Sequence, residues 1–283
     1  MLKQQTMPAE NISTEPANGT ADFRKEAEVL AQRLFRNNLQ AKEKYIQGLE
    51  DIYAGAANKD FLVIHSPGGW GNSEWDDVQE WEKSIVTGVT ATLQDNGYSY
   101  YVTQYLRSGK RPWGHILDIV RDLRFFSSGH NRRAERLAAG LELLARKLAK
   151  GNIILVAASQ GAAFDNAVVK ATHNTPNIYS IELGTFFPYM KRRLLTERTL
   201  AIDGNGLIRD PMCERDLWKG AKAYFKAFGK WFKYNITGKH VKFTRCINTP
   251  GHEYNWEFPA VHTNITKFLK EKFGMKNTRV GRQ

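Results

Sequence analysis

Short, continuous runs of apolar residues alternate along the chain with longer segments in which apolar residues recur every three or four positions. A continuous apolar run of four to eight residues is typical of a strand that is buried on both faces of a parallel sheet. Segments rich in β-branched and aromatic residues favour strands as well. The predicted strands are Phe61–His65, Tyr98–Leu106, Ile153–Val156, Asn177–Leu183, Thr199–Asp203 and Val241–Ile247.

The intervening segments have the apolar spacing of helices that bury one face. Arg132–Leu148, for example, places Leu137, Leu141, Leu144 and Leu148 on one side of a helix. The other predicted helices are Trp75–Asp95, Trp113–Phe126, Leu217–Tyr234 and Pro259–Phe273. Alternation of strands and helices predicts an α/β fold, with a mostly parallel sheet flanked by helices on both faces.

The same pattern divides the chain of 283 residues into four parts. Residues 1–22 are polar, contain two prolines and are predicted to be disordered. Residues 23–58 combine many charges with spaced apolar residues and predict an N-terminal helical extension of one or two amphipathic helices. Residues 61–273 form the α/β domain, and 274–283 form a flexible tail. The length is sufficient for one large domain with a substantial core.

A serine stands directly after the third predicted strand, in the sequence Ala157-Ala158-Ser159-Gln160-Gly161. Small residues lie two positions before and two positions after it, as a sharp turn from strand to helix requires when the two elements approach closely. The residues from Gln160 onward suit a helix start, whose first amides favour negative charge near the serine hydroxyl. The alternative is an ordinary buried strand followed by a helix that Ser159 caps.

This pentapeptide resembles the nucleophile elbow of the α/β-hydrolase superfamily, glycine-x-serine-x-glycine, with Ala157 in place of the first glycine. The order of the predicted elements also matches the hydrolase core from Phe61 to Phe273, without the first two strands of the full family. The resemblance implies a serine hydrolase in which Ser159 is the nucleophile.

A second feature of the resemblance is the glycine-rich loop Ser66–Gly71, which follows the first core strand. In the family this loop presents a backbone N–H to the developing oxyanion. Because proline has no N–H, Pro67 cannot donate. The resemblance therefore implies Gly68 or Gly69 as one donor and Gln160 as the other. A tight turn without a catalytic role is the alternative. We interpret His65, just before the loop, as a structural hydrogen-bonding residue.

A serine nucleophile needs a histidine base, which a carboxylate orients. Two histidines follow the serine at suitable positions, and we favour His252, in the loop after the last predicted strand, over His262, inside the last helix. The resemblance agrees with this choice, because the family's base also precedes a closing helix. The candidates for the acid, in order of preference, are Asp210, Asp203 and Glu182, and each of them is also typical of a solvated turn or a helix cap.

The predicted helix 217–234 lies where hydrolases often carry a cap. It has a lysine stripe on one side and aromatic residues on the other. Such a helix can lie on an anionic membrane surface, or it can be an ordinary helix that packs its aromatic face into the core. We expect Phe225 and Phe228, together with Trp70 of the glycine-rich loop, to line a pocket for an apolar acyl chain.

Composition narrows the remaining classes of function. The net charge of +12 attracts nucleic acid, anionic lipid or acidic substrates and is also compatible with simple solubility. No nucleic-acid-binding motif accompanies the charge, so a nucleic-acid partner is not favoured. Cys213 and Cys246 have neither metal-type spacing nor the number of a disulfide framework. The start of the chain lacks the apolar core of a signal peptide, and no run reaches membrane-spanning length, so we expect a cytoplasmic protein.

These observations predict a serine hydrolase that cleaves a small carboxylic ester or thioester through an acyl-enzyme, with no metal and no organic cofactor. Two alternatives stay open at this point. The first is an acyltransferase that uses the same nucleophile, because only the pocket chooses the acceptor. The second is a non-catalytic binding protein on the same fold, because a fold does not by itself imply a function.

Overall fold

Within the part of the chain that the structure describes, the central element of the fold is a sheet of six strands in the order β1-β3-β2-β4-β5-β6. The computed structural model describes residues 2–3, 17–69, 71, 73–107, 125, 131–172, 175–213, 229, 233–234, 236–238 and 250–276. Strands β2 to β6 are parallel, and only the two-residue strand β1 is antiparallel to its neighbour β3. The strands are β1 Leu2–Lys3, β2 Phe61–Ser66, β3 Tyr100–Tyr105, β4 Asn152–Ala158, β5 Ile178–Leu183 and β6 Thr199–Ile202.

Helices connect the parallel strands, which confirms the predicted α/β class. They are α1 Ala17–Phe35, α2 Leu39–Ala56, α3 Glu80–Asp95, α4 Arg132–Lys147, α5 Gln160–Ala171, the short α6 Phe187–Met190 and α7 Pro259–Phe273, with a 3-10 turn at Trp75–Asp77. None of the helices in the described part of the chain is long and apolar enough to cross a membrane.

The alternation of side chains along the central strands divides the core into two layers. Leu62 of β2 and Leu155 of β4 lie in a cluster that includes buried residues of α1, α2, α4 and α5. Val63 and Val156, their chain neighbours, lie in a second cluster with residues of α3 and α7. Helices therefore cover both faces of the sheet. This is why the strands are continuously apolar and why the sequence marked them clearly.

The observed elements differ from the predicted ones mainly at their ends. The predicted helix Trp75–Asp95 is interrupted at Val78, whose backbone is extended, and α3 begins at Glu80. The strand that we predicted from Tyr98 begins at Tyr100, because Tyr98 still closes the turn after α3: its amide donates a 2.9 Å hydrogen bond to the Leu93 carbonyl. Helix α1 begins at Ala17, inside the segment that we predicted to be disordered, and β1 also falls in that segment.

The C-terminal end of the α/β domain also extends further than we predicted. The predicted tail begins at 274, but Lys276 is anchored: its amide donates to the Asn96 carbonyl, and its ammonium group lies 2.6 Å from the buried carboxylate of Asp60.

Three predicted elements fall wholly or mostly outside the described residues. They are the helices Trp113–Phe126 and Leu217–Tyr234 and the strand Val241–Ile247.

The sheet order determines where a site can form. From β2 the chain crosses to β3 on one side, then returns to β4 on the other side and continues through β5 and β6. In an open parallel sheet, ligands bind beyond the carboxyl ends of the strands where the order reverses. Here that crevice is bounded by the loop after β2, which begins at Pro67, and by the turn after β4, which contains Ser159.

Candidate active site

Ser159 occupies the turn between β4 and α5 in a strained backbone conformation, with φ 55° and ψ −120°. Non-glycine residues rarely adopt positive φ, and this combination lies outside the left-handed helical region as well. Such a conformation costs about 1–3 kcal/mol and persists only where the surroundings impose it. The Ser159 amide donates a 2.8 Å hydrogen bond to the Leu183 carbonyl, and its carbonyl accepts from Ala163 in the first turn of α5.

Gly161 explains why the turn needs small residues. A Cβ atom at this position would overlap the Ser66 carbonyl oxygen and would lie 2.9 Å from the Pro67 carbonyl oxygen. On the other side of the serine, Ala157 is buried at the end of β4, opposite Ser66. The start of α5 therefore lies against the backbone at the end of β2, at the carboxyl ends of the two strands.

Arg107 holds the glycine-rich loop from the other side. Its Nη2 atom donates hydrogen bonds to the Pro67 carbonyl at 2.9 Å and to the Gly69 carbonyl at 2.6 Å, and its amide donates to the Gly71 carbonyl at 2.8 Å. The side chain is buried. Arg107 was not among the predicted site residues, because its only signal in the sequence is its place directly after the predicted strand that became β3.

Glu82 of α3 organises the same loop. Its Oε2 atom accepts a 3.0 Å hydrogen bond from the Gly68 amide and lies 3.3 Å from His65 Nε2. The Gly68 amide is therefore occupied, and this counts against it as an oxyanion donor. Within the described residues the Gly69 amide has no hydrogen-bond partner. Gly69 adopts a positive φ of 54°, a conformation that glycine accommodates without steric cost. His65 is buried in this network.

His252 and Asp210 form a hydrogen-bonded pair. The imidazole Nδ1 lies 2.7 Å from Asp210 Oδ2. The carboxylate is buried, and it also accepts hydrogen bonds from the Tyr254 hydroxyl at 2.6 Å and from the Met212 amide at 2.8 Å. Burial by itself would raise the pKa of Asp210, but the hydrogen bonds from His252, Tyr254 and Met212 outweigh it, and the pKa lies below its ordinary value.

Gly184 joins this pair to the serine turn. It follows Leu183, the residue that accepts the hydrogen bond of the Ser159 amide, and its φ is 55°. A Cβ atom on Gly184 would lie 2.8 Å from Asp210 Oδ2 and 2.9 Å from His252 Cε1. The pair therefore lies on the backbone at the end of β5, at the same edge of the sheet as Ser159. Only a glycine lets the ring approach so closely.

The two other candidate acids form a different network. Arg193 lies 2.9 Å from Glu182 Oε2 and 2.8 Å from both carboxylate oxygens of Asp203. Glu182 also accepts a hydrogen bond from Asn166. Asp210 is thus the candidate carboxylate that contacts His252, and our second and third choices are paired with an arginine instead.

His262 lies on the exposed side of α7, where its ring contacts Trp256 edge-on at 4.9 Å between centroids. Two aromatic rings lie near His252: Tyr254, at 6.0 Å between centroids, and Trp81 of α3, at 6.5 Å. The Trp81 and Tyr254 rings are also 6.0 Å apart. Trp81 is half-buried, and in the sequence it is marked only by its place in the predicted helix Trp75–Asp95. The expected lining residues Trp70, Phe225 and Phe228 lie outside the described residues.

Comparison with known proteins adds no family: no protein-family model matches the chain, and the search of curated proteins finds no relative. In the part of the chain that the structure describes, no group of three or more His, Cys, Asp or Glu side chains is arranged to hold a metal ion.

Proposed function

We propose that this protein is a serine hydrolase of the α/β-hydrolase type, which cleaves a carboxylic ester or thioester through an acyl-enzyme. The observation that carries the proposal is the strained backbone of Ser159, on the turn that leaves β4. Strain of this kind is retained where function needs it, and here it holds a hydroxyl at the point where the strand order reverses. The His252–Asp210 pair at the same sheet edge supports the assignment.

In the proposed first step, Ser159 Oγ attacks the acyl carbon while His252 removes the hydroxyl proton. The hydrogen bond between Nδ1 and Asp210 keeps the Nδ1 proton in place, so Nε2 is left as the basic atom. Asp210 also stabilises the imidazolium that forms. His252 then donates the proton to the departing alkoxide or thiolate.

The developing oxyanion is held by backbone amides in this proposal. The Gln160 amide belongs to the first turn of α5, which favours negative charge. Gly69 is the loop residue of choice, because the Gly68 amide donates to Glu82. The clamp of Arg107 on the carbonyl groups of Pro67 and Gly69 fixes the loop in advance of the reaction. In the second step, water activated by His252 releases the acyl group.

The proposed substrate is a small molecule with an apolar acyl chain, and Trp81 is a half-buried aromatic side chain close to the base. Two further points stay predictions. The first is that the 217–234 segment takes the substrate from an anionic membrane surface. The second is that Phe225, Phe228 and Trp70 line the pocket.

The test is turnover of 4-nitrophenyl esters by the purified protein and its Ser159→Ala variant. We expect the variant to lose activity by about 10³-fold or more. Ser180→Ala is the matched control, because this serine lies on the neighbouring strand β5 and its hydroxyl is bound to Glu182. Equal turnover by native protein and Ser159→Ala would refute the proposal, and so would a native protein without activity on any acyl ester.

A further inference from the structure

Asp210 Oδ2 is shared by three side-chain donors. His252 Nδ1 lies at 2.7 Å, the Tyr254 hydroxyl at 2.6 Å and the Cys213 thiol at 3.4 Å. The Tyr254 bond is as short as the bond that orients the base. The Tyr254 side chain is fully buried. The hydrogen bond between Asp210 and His252 is sufficient to orient the imidazole. The additional hydrogen bond from Tyr254 to the same oxygen therefore needs a separate explanation.

We propose that Tyr254 is a positioning residue, which fixes the Asp210 carboxylate and through it sets the basicity of His252. This inference rests on the proposed function for its meaning in catalysis. A donor to a carboxylate stabilises the charge and leaves less of it available to the imidazolium. Without the Tyr254 hydroxyl, more of the negative charge on Asp210 would act on the protonated imidazole of His252.

The packing around the cluster holds Tyr254 in this role. The half-buried ring of Trp81 contacts both Tyr254 and His252, and the Tyr254 ring lies against Gly184, where a Cβ atom would be 2.7 Å from Cε2. The tyrosine and the histidine are therefore fixed by the same neighbours. Both donors thus lie on the same carboxylate oxygen.

The other titratable groups near the cluster do not replace Tyr254. Burial raises the pKa of the Cys213 thiol, so it is a neutral donor, and its hydrogen bond to Asp210 is long. Asp203 acts on Cys213 electrostatically but forms an ion pair with Arg193. From α3, Trp81 carries no charge, and its neighbour Glu82 is bound to Gly68 and His65.

The decisive experiment follows the protonation of His252 by NMR in the native protein and in Tyr254→Phe, which keeps the ring and removes only the hydroxyl. We expect the midpoint of the His252 titration to rise by about 0.5–1 pH unit, since one hydrogen bond to the charged form of Asp210 is lost. The acid limb of kcat/KM should move by the same amount. Unchanged midpoints would overturn the proposal.

The control variant is Tyr98→Phe. The Tyr98 hydroxyl also donates a 2.6 Å hydrogen bond, to the Phe273 carbonyl, but it lies at the amino ends of the strands. This variant should leave the His252 midpoint where it is, and a shift equal to that of Tyr254→Phe would mean that general loosening of the fold, and not the Asp210 contact, is responsible.

A second substitution protects the test if Tyr254→Phe does not fold. Replacing Tyr254 with 3-fluorotyrosine keeps the hydroxyl and makes it a stronger donor, so the His252 midpoint should move downward; an upward shift or no shift would contradict the proposal. The titration needs no substrate. If Ser159 were not a nucleophile, turnover would be absent in every variant, whereas the shifts in the His252 midpoint would remain.

Discussion

Gly161 and the Ser66 carbonyl are in such close contact that no side chain fits between α5 and the backbone after β2. This contact determines how closely the start of α5 approaches the end of β2, and therefore where the backbone amides next to Ser159 lie. It also explains why the sequence motif has a glycine two positions after the serine.

We predict that Gly161→Ala destabilises the fold by about 1–3 kcal/mol and lowers turnover further than this loss explains, because the helix start must move away from the loop. Urea unfolding and ester kinetics on folded protein measure the two effects. Gly204→Ala is the control, because no heavy atom within the described part of the chain lies within 4 Å of a Cβ atom there. Full activity of folded Gly161→Ala would show that the contact does not position the turn.

For the acid, Asp210→Asn should lower kcat by about 10³–10⁴-fold, because the amide no longer holds the His252 proton on Nδ1 and no longer stabilises the imidazolium. Asp203→Asn is the matched change on a carboxylate that is bound to Arg193, and it should leave kcat within a few-fold of native. Stopped assays over pH 6–9 separate the two. A larger loss in Asp203→Asn would return the acid role to our second choice.

The base assignment gives a further prediction. His252→Ala should lower turnover by several orders of magnitude, whereas His262→Ala should change it little, because His262 lies on the exposed face of α7 against Trp256. Steady-state kinetics with one soluble ester suffice. Comparable losses in both variants would contradict the geometry of the site.

We predict that the buried carboxyl group of Asp165 makes the free energy of unfolding depend on pH. It is fully buried and accepts a 2.7 Å hydrogen bond from Ser66, and burial raises its pKa well above the ordinary value of 3.8. The folded protein therefore holds a proton that the unfolded chain releases, so this group's contribution to the free energy of unfolding falls as pH rises from 3.8 to the folded pKa. Asp165→Asn should remove that fall, and its stability relative to native should increase with pH. A constant difference between pH 4 and 8 would refute this.

Asp60 should behave in the opposite way. Burial alone would raise its pKa, but Lys150, Lys276 and Ser99 lower it below 3.8. The stabilisation is thus fully present above pH 3.8 and is lost as pH falls through the folded pKa. We expect Asp60→Asn to cost about 1–3 kcal/mol at pH 7, because the donors of Ser99 lose a charged acceptor, and progressively less below pH 4. Chemical denaturation at several pH values measures the difference, and a cost that does not decrease as pH falls from 4 to 2 would argue against the ion pairs.

The sequence predicted strands β2 to β6 and the serine turn because these depend on local pattern. Phe61–Ser66 and Asn152–Ala158 are buried on both faces, which leaves a continuous apolar run, and Ala157 and Gly161 are small for reasons of local backbone geometry. The ends of elements were less accurate. The start of α3 at Glu80 depends on the extended backbone of Val78, which the apolar spacing does not reveal.

The contacts that complete the site could not be predicted in this way, because they join residues that are distant along the chain. The Arg107 side chain donates to carbonyl groups of a loop some forty positions earlier, and Glu82 accepts from the Gly68 amide. The Tyr254 hydroxyl donates to Asp210, which lies 44 positions earlier in the chain. No periodicity or motif marks these residues. For the same reason the sequence could rank Asp210, Asp203 and Glu182 but could not choose between them, since the choice depends on which carboxylate lies beside His252.

The most direct measurement of the central claim is to label the protein with a fluorophosphonate probe and to map the modified residue by peptide mass spectrometry. The probe forms a covalent bond to an activated serine, so it tests nucleophilicity without any assumption about the substrate. The account predicts a single modification at Ser159, which is lost in Ser159→Ala and strongly slowed in His252→Ala. Modification of another residue, or labelling that persists in Ser159→Ala, would contradict it.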